Sequence, residues 1–511
     1  MEETMSASLR VGLWVFVFSV TVMGKPMEVV LRLKEKIPME QLAATVMDPQ
    51  SVRYNNFFTP AEIRDLVAPS ETEYENLKSE LIKDGFEITH ESFTRLLITV
   101  QGDSSLFEHV FSTHLESDFD ARPGMVATRQ LGSYFVPQRL NIIDSVTGFD
   151  NTRRSYSHLV TSSSANQVAS TPDDIKNAYG VTALQKEGYL GTGQHIAIAT
   201  YDDLDLTDVQ GYYKSIGMTT MPSVDKVIFN GTPQANVDSA AETETDAELS
   251  GMIAPGASIH VFPSSHNDDA GELQVFSAIL DDNRAKVVNY SWGSCEAQVT
   301  PQHKADMDNV FARAVAQGVN IMVASGDSGE NGCRDNQVNP DFPGAHPNVV
   351  AVGGTTFAVT ADGNLAETGW SGSGGGVSTF YDLPQWQSGF VAPYIKRSFP
   401  DVAFNADPQT GENVWIHYSS STPEWIQIGG TSIAAPQWSG FLALVNQARG
   451  TKGPVGFINP LIYKLTDAQH KTFFDDVTVG NNGYAAGPGW DAVTGWGGMH
   501  GDLLLPYLVN Q

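Results

Sequence analysis

One serine lies in an unusual stretch, Gly429–Pro436, which runs Gly-Gly-Thr-Ser-Ile-Ala-Ala-Pro. Gly429 and Gly430 allow a tight turn and a close approach of the backbone to a ligand. Ser432 would then fall at the start of a helix, where its hydroxyl is exposed and free backbone N–H groups face developing negative charge. That position suits a nucleophile. For Gly-Thr-Ser alone, however, an ordinary helix cap is the more common explanation.

A cluster of carboxylates lies in the segment Glu-Thr-Glu-Thr-Asp-Ala-Glu, residues 242–248. On a helix, Glu242 and Asp246 share one face, and Glu244 and Glu248 share a different face. Clustered carboxylates shift each other's pKa, so one could accept a serine proton in acid, where a histidine base is already protonated. The alternative is an acidic first helical turn stabilised by the helix dipole.

A further carboxylate, Asp327, follows the apolar run 320–324 within Ala-Ser-Gly-Asp-Ser-Gly. Once protonated, an aspartic acid at the end of a strand can donate a hydrogen bond to an oxyanion, which an ionised carboxylate cannot do. A carboxylate that merely stabilises a turn is the alternative.

Residues 168–511 alternate between strand and helix patterns, which predicts a parallel sheet covered by helices. Active groups then belong at the carboxyl ends of the strands. The apolar runs that we interpret as strands are 195–200, 258–262, 287–291, 320–324 and 349–352, with a helix over 306–317. The sequence pattern of residues 25–160 predicts a small α+β unit. Its strands are expected at 29–33, 95–100 and 126–136, and its helices are expected to begin after Thr59 and Ser70.

The domain organisation expected from these patterns has four parts. Residues 1–24 are interpreted as a signal peptide because 11–24 are apolar after Arg10 and too short for an ordinary membrane span; an uncleaved anchor is the alternative. Residues 25–160 form the first domain, 161–170 a linker and 171–511 the second domain. An inert domain joined by a linker to an enzyme suggests a removable propeptide, although an ordinary interdomain linker would have the same pattern.

The charge balance excludes one class of partner. The 511 residues carry a formal net charge of −29, which argues against nucleic-acid binding because that requires basic patches. It fits a protein that works in an acidic place, where many carboxylates are partly neutralised. Cys295 and Cys333 would form one disulfide in an oxidising compartment, or remain two buried thiols.

The three motifs in this order resemble the sedolisin, or serine-carboxyl peptidase, family. The resemblance covers nearly the whole chain and includes six further segments: Phe58–Glu62, Arg95–Leu97, Ser291–Gly293, Val352–Thr355, Gly374–Ser378 and Phe399–Ala403. It implies an α/β, subtilisin-like parallel sheet with helices on both faces, preceded by a small α+β activation prodomain of the prokumamolisin type. It implies the following site residues: Ser432 as nucleophile, Glu242 as general base, Asp246 as the group that orients Glu242, Asp327 in the oxyanion hole, and Ser291 and Gly293 in substrate binding.

The family also binds calcium through a loop near the carboxyl terminus. The residues of this chain that match are Asp476, Val477, Gly487, Gly489 and Asp491, and carboxylates with backbone carbonyls are hard oxygen ligands suited to Ca²⁺. Without the resemblance, two aspartates in a glycine-rich loop are more often turn chemistry.

The sequence therefore predicts an acid-acting serine-carboxyl peptidase with a Ser-Glu-Asp triad, made as a self-activating proenzyme. It acts on peptides or proteins, as an endopeptidase or a tripeptidyl-peptidase, and its own prodomain is an intramolecular inhibitor. We expect a monomer, no nucleic-acid partner, no stable membrane insertion after signal removal, and a place that is extracellular, lysosomal or vacuolar. The alternatives are an inactive peptide-binding relative and a neutral Ser-His-Asp protease that uses His260 or His346.

Overall fold

The computed structural model describes residues 27–119, 126–162, 169–231, 237–417 and 422–511. The predicted signal peptide, residues 1–24, lies outside the described residues, as does most of the predicted linker, since residues 163–168 of 161–170 are among those not described. Within the described ranges, no helix combines the length and the apolar character needed to cross a bilayer.

The first domain is a small α+β unit around an antiparallel sheet with strand order β2-β3-β1-β6. Two of its helices begin where the sequence predicts, because Thr59 and Ser70 each form a capping box with a glutamate three residues on. Its elements are β1 (Met27–Leu33), α1 (Met39–Met47), α2 (Pro60–Val67), α3 (Glu71–Asp84), β2 (Glu87–Glu91), β3 (Leu97–Gly102), α4 (Ser104–Phe111), β4 (His114–Phe119), β5 (Val126–Leu131) and β6 (Ile143–Thr147).

Two short strands follow the first domain, and the second domain begins at α5. The remaining elements are β7 (Tyr156–Ser157), β8 (Val160–Thr161), α5 (Pro172–Ala178), α6 (Val181–Lys186), β9 (His195–Thr200), α7 (Leu206–Ser215), β10 (Ser223–Lys226), α8 (Val237–Ile253), β11 (Ser258–Pro263), α9 (Asp269–Asp282), β12 (Val287–Tyr290), β13 (Trp292–Cys295), α10 (Pro301–Ala316), β14 (Asn320–Ala324), β15 (Asp341–Phe342), β16 (Val350–Thr356), β17 (Thr368–Gly369), β18 (Gly376–Asp382), β19 (Lys396–Phe399), β20 (Val402–Asn405), β21 (Glu412–Ile416), β22 (Glu424–Gly429), α11 (Thr431–Arg449), α12 (Asn459–Tyr463), α13 (Asp467–Phe473), β23 (Phe474–Asp475), β24 (Gly498–Met499) and α14 (Gly501–Val509).

The central sheet confirms the predicted parallel architecture. Its order is β10-β11-β9-β12-β14-β16-β20-β24-β23, and the pairs from β10 to β24 are parallel. Alternate residues of β9 enter opposite cores, as the period of two requires: Ile196 and Ile198 pack with α8 and α11, whereas Ala197 and Ala199 pack with α9 and α10. Helices therefore cover both faces of the sheet.

Helices α8 and α11 lie against each other, and this contact sets the positions of their amino-terminal residues. At Gly440 of α11 a β-carbon would lie 2.7 Å from the Ile253 Cβ and 2.8 Å from the Ser250 carbonyl oxygen, so only glycine permits so close an approach. The Ser250 hydroxyl also donates to the Pro436 carbonyl over 3.2 Å. The two helix starts meet at the carboxyl ends of the strands, where a parallel sheet has its ligand crevice.

The first domain is seated on α9 and α10 of the second. Arg32 of β1 forms an ion pair with the buried Asp306 over 2.6 Å, and the hydroxyls of Ser145 and Thr147 also donate to that carboxylate. The Phe57 ring packs directly on Gly318, two residues after the end of α10. Both apolar and ionic contacts thus hold the first domain to the second.

Candidate active site

The turn before α11 presents Ser432, and its glycines are required by geometry. Gly430 has φ of +96°, a conformation that side chains disfavour. A β-carbon there would also lie 2.2 Å from the His158 carbonyl oxygen and 2.5 Å from Asp327 Oδ2. Both groups are therefore neighbours of the turn that carries the serine.

The Ser432 hydroxyl lies beside Glu242, whose pKa it lowers, and donates to the Ser291 carbonyl oxygen over 3.4 Å. Glu242 also accepts a hydrogen bond from the Ser157 hydroxyl through Oε2, while its Oε1 is buried without a partner among the described residues. Burial, and then the charge of Asp246, raises the pKa of Glu242 well above its usual value. Glu242 therefore holds a proton readily and can exchange one with a hydroxyl.

Asp246 lies one helical turn after Glu242 and is buried. Its Oδ1 accepts from the Ser291 hydroxyl at 2.6 Å, and the Asn289 side chain donates to that hydroxyl over 3.1 Å. Burial raises the pKa of Asp246 as well. Two neighbouring buried carboxyls cannot easily both ionise, so the pair holds one proton and one negative charge over an extended pH range.

Asp327 is fixed through one oxygen and leaves the other free. The backbone N–H of Thr431 donates to Asp327 Oδ1 over 2.7 Å and the Thr431 hydroxyl does so over 2.9 Å. Oδ2 is buried and has no hydrogen-bond partner among the described residues. Burial raises the pKa of Asp327 to about 6, against the opposing effects of His158 and Thr431. Below that pH Asp327 is a neutral acid whose O–H can be donated.

The segment after the first domain runs through this site in extended form. On one side Tyr156 and Ser157 pair antiparallel with Gly293 and Trp292. On the other side Val160 and Thr161 pair antiparallel with β22.

Between the two pairings lies His158, whose backbone contacts both Ser291 and Ser432. Its N–H donates to the Ser291 carbonyl over 3.1 Å, and its carbonyl oxygen accepts from Ser432 N over 3.1 Å. The His158 carbonyl therefore lies beside the nucleophile and receives a backbone N–H, as a scissile carbonyl would.

The His158 side chain enters a small acidic pocket. Its Nε2 lies 3.5 Å from Asp341 Oδ1, and a β-carbon on Gly293 would lie 2.4 Å from that Nε2 and 2.1 Å from that oxygen. Burial lowers the pKa of His158, but the charges of Asp341 and Asp327 and the hydrogen bond to Asp341 together outweigh burial, so that the net direction is upward. The pocket therefore favours an imidazolium, and the absence of a side chain at Gly293 is what makes room for it.

The structure brings together the predicted residues Ser432, Glu242, Asp246 and Asp327, and it lines their cleft with the predicted Ser291 and Gly293. The two histidines considered for a neutral protease are engaged elsewhere. His260 Nδ1 lies 2.6 Å from Asp225, and His346 Nε2 lies 3.1 Å from Asp308.

The predicted calcium residues also lie close together, in the loop before β24. Both Asp476 oxygens accept the Gly489 N–H, at 3.0 and 3.2 Å, and Asp491 Oδ2 accepts the Gly487 N–H at 3.0 Å. A cavity of about 460 Å³ opens beside Asp476 and Gly489. Two carboxylates and a flexible carbonyl-rich loop at one place form a donor set that fits a hard cation.

Several residues of the cleft were missed by the sequence analysis. They are Ser157, His158, Asn267 and Asp341, together with four residues around the Arg153 side chain: Asp269, Glu272, Ser294 and His303. The pair Arg153-Arg154, near the end of the predicted first domain, was the one available signal. Cys295 and Cys333, left open above, are joined in a disulfide.

Comparison with known proteins yields two family matches. Residues 22–152 match the pro-kumamolisin activation domain, and residues 231–497 match the subtilase family. The chain is 37% identical to kumamolisin of Bacillus sp. (strain MN-32), over 68% of this chain and 65% of that protein. It is 29% identical to sedolisin of Pseudomonas sp. (strain 101), over 94% and 86%, and 26% identical to tripeptidyl-peptidase 1 of Bos taurus, over 94% and 91%.

Two solved structures show the same fold. Pseudomonas sedolisin, a serine-carboxyl proteinase complexed with two molecules of pseudo-iodotyrostatin, aligns with a TM-score of 0.59 and 28% identity over 68% of this chain and all of that one. Fervidolysin from Fervidobacterium pennivorans, a keratinolytic enzyme related to subtilisin, aligns with a TM-score of 0.52 and 14% identity over 95% and 62%, which supports the fold alone. The chain belongs to the subtilase family and, as the resemblance predicted, to its sedolisin branch with an amino-terminal activation domain.

Proposed function

We propose that this protein is an acid-acting serine-carboxyl endopeptidase that is made as a self-activating proenzyme. One observation carries the proposal: the extended segment 156–161 crosses the cleft with the His158 carbonyl bonded to Ser432 N. Cleavage is then expected between His158 and Leu159.

The first chemical step is attack by Ser432 on the His158 carbonyl carbon. The ionised form of Glu242 takes the hydroxyl proton, and burial together with the neighbouring Asp246 increases the proton affinity of Glu242. The tetrahedral oxyanion receives hydrogen bonds from Ser432 N and from the neutral Asp327.

Collapse of that intermediate completes acylation. The protonated Glu242 gives its proton to the leaving amine of Leu159, and the acyl group stays on the Ser432 oxygen. Water then enters, Glu242 accepts one of its protons, and the ester is hydrolysed to release the carboxylate of His158 and restore the serine hydroxyl.

The cleft extends beyond three residues on the amino side of the bond, which favours an endopeptidase over a tripeptidyl-peptidase. The Asn267 side chain accepts from the Ser155 N–H over 2.9 Å and donates to the Ser155 carbonyl over 3.0 Å. If His158 is counted as the first residue on the amino-terminal side of the scissile bond, Ser155 is the fourth. A tripeptidyl-peptidase must close its cleft after the third residue, whereas here the chain continues beyond it. The buried Asp341 supports a preference for a basic residue just before the scissile bond.

Peptide hydrolysis and the mode of cleavage are tested with two peptides whose amino terminus is blocked and one whose amino terminus is free. At about pH 4, near the carboxylate pKa values, we expect hydrolysis of an amino-blocked peptide spanning residues 150–162, and none by Ser432→Ala. Release of tripeptides from a free amino terminus, with no cleavage of the blocked peptide, would refute the endopeptidase assignment. A blocked peptide with Leu in place of His158 should be hydrolysed more slowly.

We also propose that Asp476 and Asp491, with the carbonyl oxygens of Val477, Gly487 and Gly489, hold Ca²⁺, which would cross-link the loop that precedes β24. The test is thermal unfolding of the Ser432→Ala protein with calcium and with a chelator. We expect the chelator to lower Tm by several degrees in this protein and to have little effect in its Asp476→Asn version. An unchanged Tm would contradict the site.

The compartment follows from the chemistry. A disulfide between Cys295 and Cys333 supports an oxidising place outside the cytosol, and the raised pKa of Asp327 supports an acidic one. We therefore propose an extracellular, lysosomal or vacuolar location.

A further inference from the structure

The segment between β6 and β7 inserts a second basic side chain, that of Arg153, into the second domain. Arg153 lies five residues before His158, which supplies the carbonyl of the scissile bond. Arg153, with a side chain 8% exposed, forms ion pairs with Asp269 and with Glu272, the latter at 2.5 Å. Its Nη1 donates to the Ser294 hydroxyl, and its Nη2 lies 2.7 Å from His303 Nε2. The guanidinium is thus enclosed on several sides by one pocket.

All four contacting groups belong to the second domain, on α9, α10 and β13. The pocket is also held together without the linker. Tyr290 donates to Glu272 Oε1 over 3.1 Å, the Tyr201 and Tyr290 hydroxyls are 2.8 Å apart, and His303 Nε2 lies 2.9 Å from Glu272 Oε2. The shape of the pocket therefore persists when the segment that carries Arg153 leaves.

Loss of the propeptide would leave this pocket with two buried carboxylates and no guanidinium. A buried ionic group that loses its partner is strongly destabilised, and a preformed fork of acceptors suits arginine better than any other side chain. With an arginine in the pocket, the charges of Arg153 and His303 outweigh burial and lower the pKa of Glu272 to about 2. An arginine that takes the place of Arg153 would therefore keep Glu272 ionised in acid.

We infer that the processed enzyme uses the Asp269–Glu272–Ser294–His303 pocket as a substrate subsite for an arginine six residues before the scissile bond, counting the residue that supplies the carbonyl as the first. The spacing is that of Arg153 and His158, and the register between them is fixed by the Asn267 contacts to Ser155 and by the pairing of Tyr156 with Gly293. The inference rests on the proposed endopeptidase function and adds a specificity determinant remote from the reacting atoms.

The test uses activated wild-type enzyme and amino-blocked, internally quenched peptides with the sequence of residues 150–162. In one peptide citrulline, which is neutral and nearly isosteric, replaces Arg153. In the matched control citrulline replaces Arg154, whose Nη1 donates to carbonyls of its own segment, those of Asn151 and Arg153. Mass spectra establish that each peptide is cut after His158.

We expect citrulline at position 153 to lower kcat/KM by about tenfold or more, mainly through KM, because a remote contact made equally in the ground and transition states changes binding. Citrulline at position 154 should change kcat/KM by less than about threefold. Equal hydrolysis of all three peptides would overturn the subsite and leave the endopeptidase standing. No hydrolysis of any of them would overturn both.

An enzyme variant assigns the effect to the pocket. In Glu272→Gln, in which Arg153 of the proenzyme keeps Asp269 as its ion-pair partner, the preference for arginine over citrulline should shrink toward unity. Ser294→Ala, which removes a single contact, should reduce the preference partly and serves if the first protein does not fold. An undiminished preference in both variants would show that the arginine is recognised elsewhere, against the inference.

Discussion

Helix α8 carries two carboxyl pairs of identical spacing, Glu242 with Asp246 and Glu244 with Glu248. All four side chains are 2% exposed or less, and each has one oxygen without a partner among the described residues. The first pair accepts hydrogen bonds from the hydroxyls of Ser157 and Ser291, and the Ser432 hydroxyl lies beside it.

The second pair contacts fixed amides instead. Glu244 accepts the Asp205 N–H at 2.9 Å and Glu248 accepts the Trp415 N–H at 3.1 Å. A hydroxyl can give up its proton to a carboxylate, whereas a backbone amide cannot do so at these pH values. Spacing and burial are therefore shared by the proposed catalytic pair and a structural pair, and the chemistry of the partner group distinguishes them.

The two carboxyl pairs should differ most in how much their loss lowers catalytic activity. We expect Glu242→Gln to lower kcat on a blocked peptide at about pH 4 by 10²- to 10⁴-fold, the range for loss of a general base. Glu244→Gln is the same isosteric change on a different face of α8, and its kcat should stay within about threefold of wild type. If Glu244→Gln lost as much activity as Glu242→Gln, the distinction between the pairs would be wrong.

Asp327, the third carboxyl of the cleft, should control how activity depends on pH. Because burial raises the pKa of Asp327 to about 6, wild-type activity should decline as pH rises through that value and the acid ionises. In Asp327→Asn an amide donates at every pH, so we expect activity lower by about 10- to 100-fold at pH 4 and a much flatter profile between pH 5 and 7. An Asn variant that declined at the same pH as wild type would assign the titration to another group.

The structural pair should affect stability instead. Burial, with the charges of Asp208 and Asp205, raises the pKa of Glu244 to about 8, well above that of an unfolded glutamate. Between these values the native state binds more protons than the unfolded state, so the free energy of unfolding is greatest in acid and falls as pH rises toward 8.

Removing that ionisable group should reduce this loss. In a Ser432→Ala background, which prevents self-digestion, we expect Glu244→Gln to reduce the drop in unfolding free energy between pH 4 and 7 by about 1–3 kcal/mol. Urea denaturation at the two pH values measures the drop. The matched change Glu248→Gln should act in the same direction. An unchanged pH dependence in both would mean that these carboxyls are ionised in the native protein.

Much of the fold and part of the site could be predicted from local patterns. Strands at 195–200 and 320–324 have the observed bounds, because long apolar runs in a parallel sheet are buried on both faces. The cleft segment could not be found in this way, since β7 and β8 gain their pairing only from β13 and β22 and show no periodicity of their own. The boundary drawn at residue 160 stays a prediction, and the observed cleft segment spans it.

The subsites were missed because they form over long sequence distances. His158 meets Asp341, and Arg153 meets Glu272, and neither contact has a spacing that a local pattern can reveal. Gly293 was assigned to substrate binding by resemblance, but its physical role, the room it leaves between His158 and Asp341, depends on the fold.

The central claim is that Ser432 cuts the chain that lies across its own cleft. The most direct measurement is the intact mass of the full-length protein after a shift to about pH 4, near carboxylate pKa values, beside Ser432→Ala under the same conditions. The account predicts a product that begins at Leu159 in the wild type and an uncut chain in the variant. Cleavage of both proteins, or a wild-type product whose first cut lies away from the His158–Leu159 bond, would contradict it.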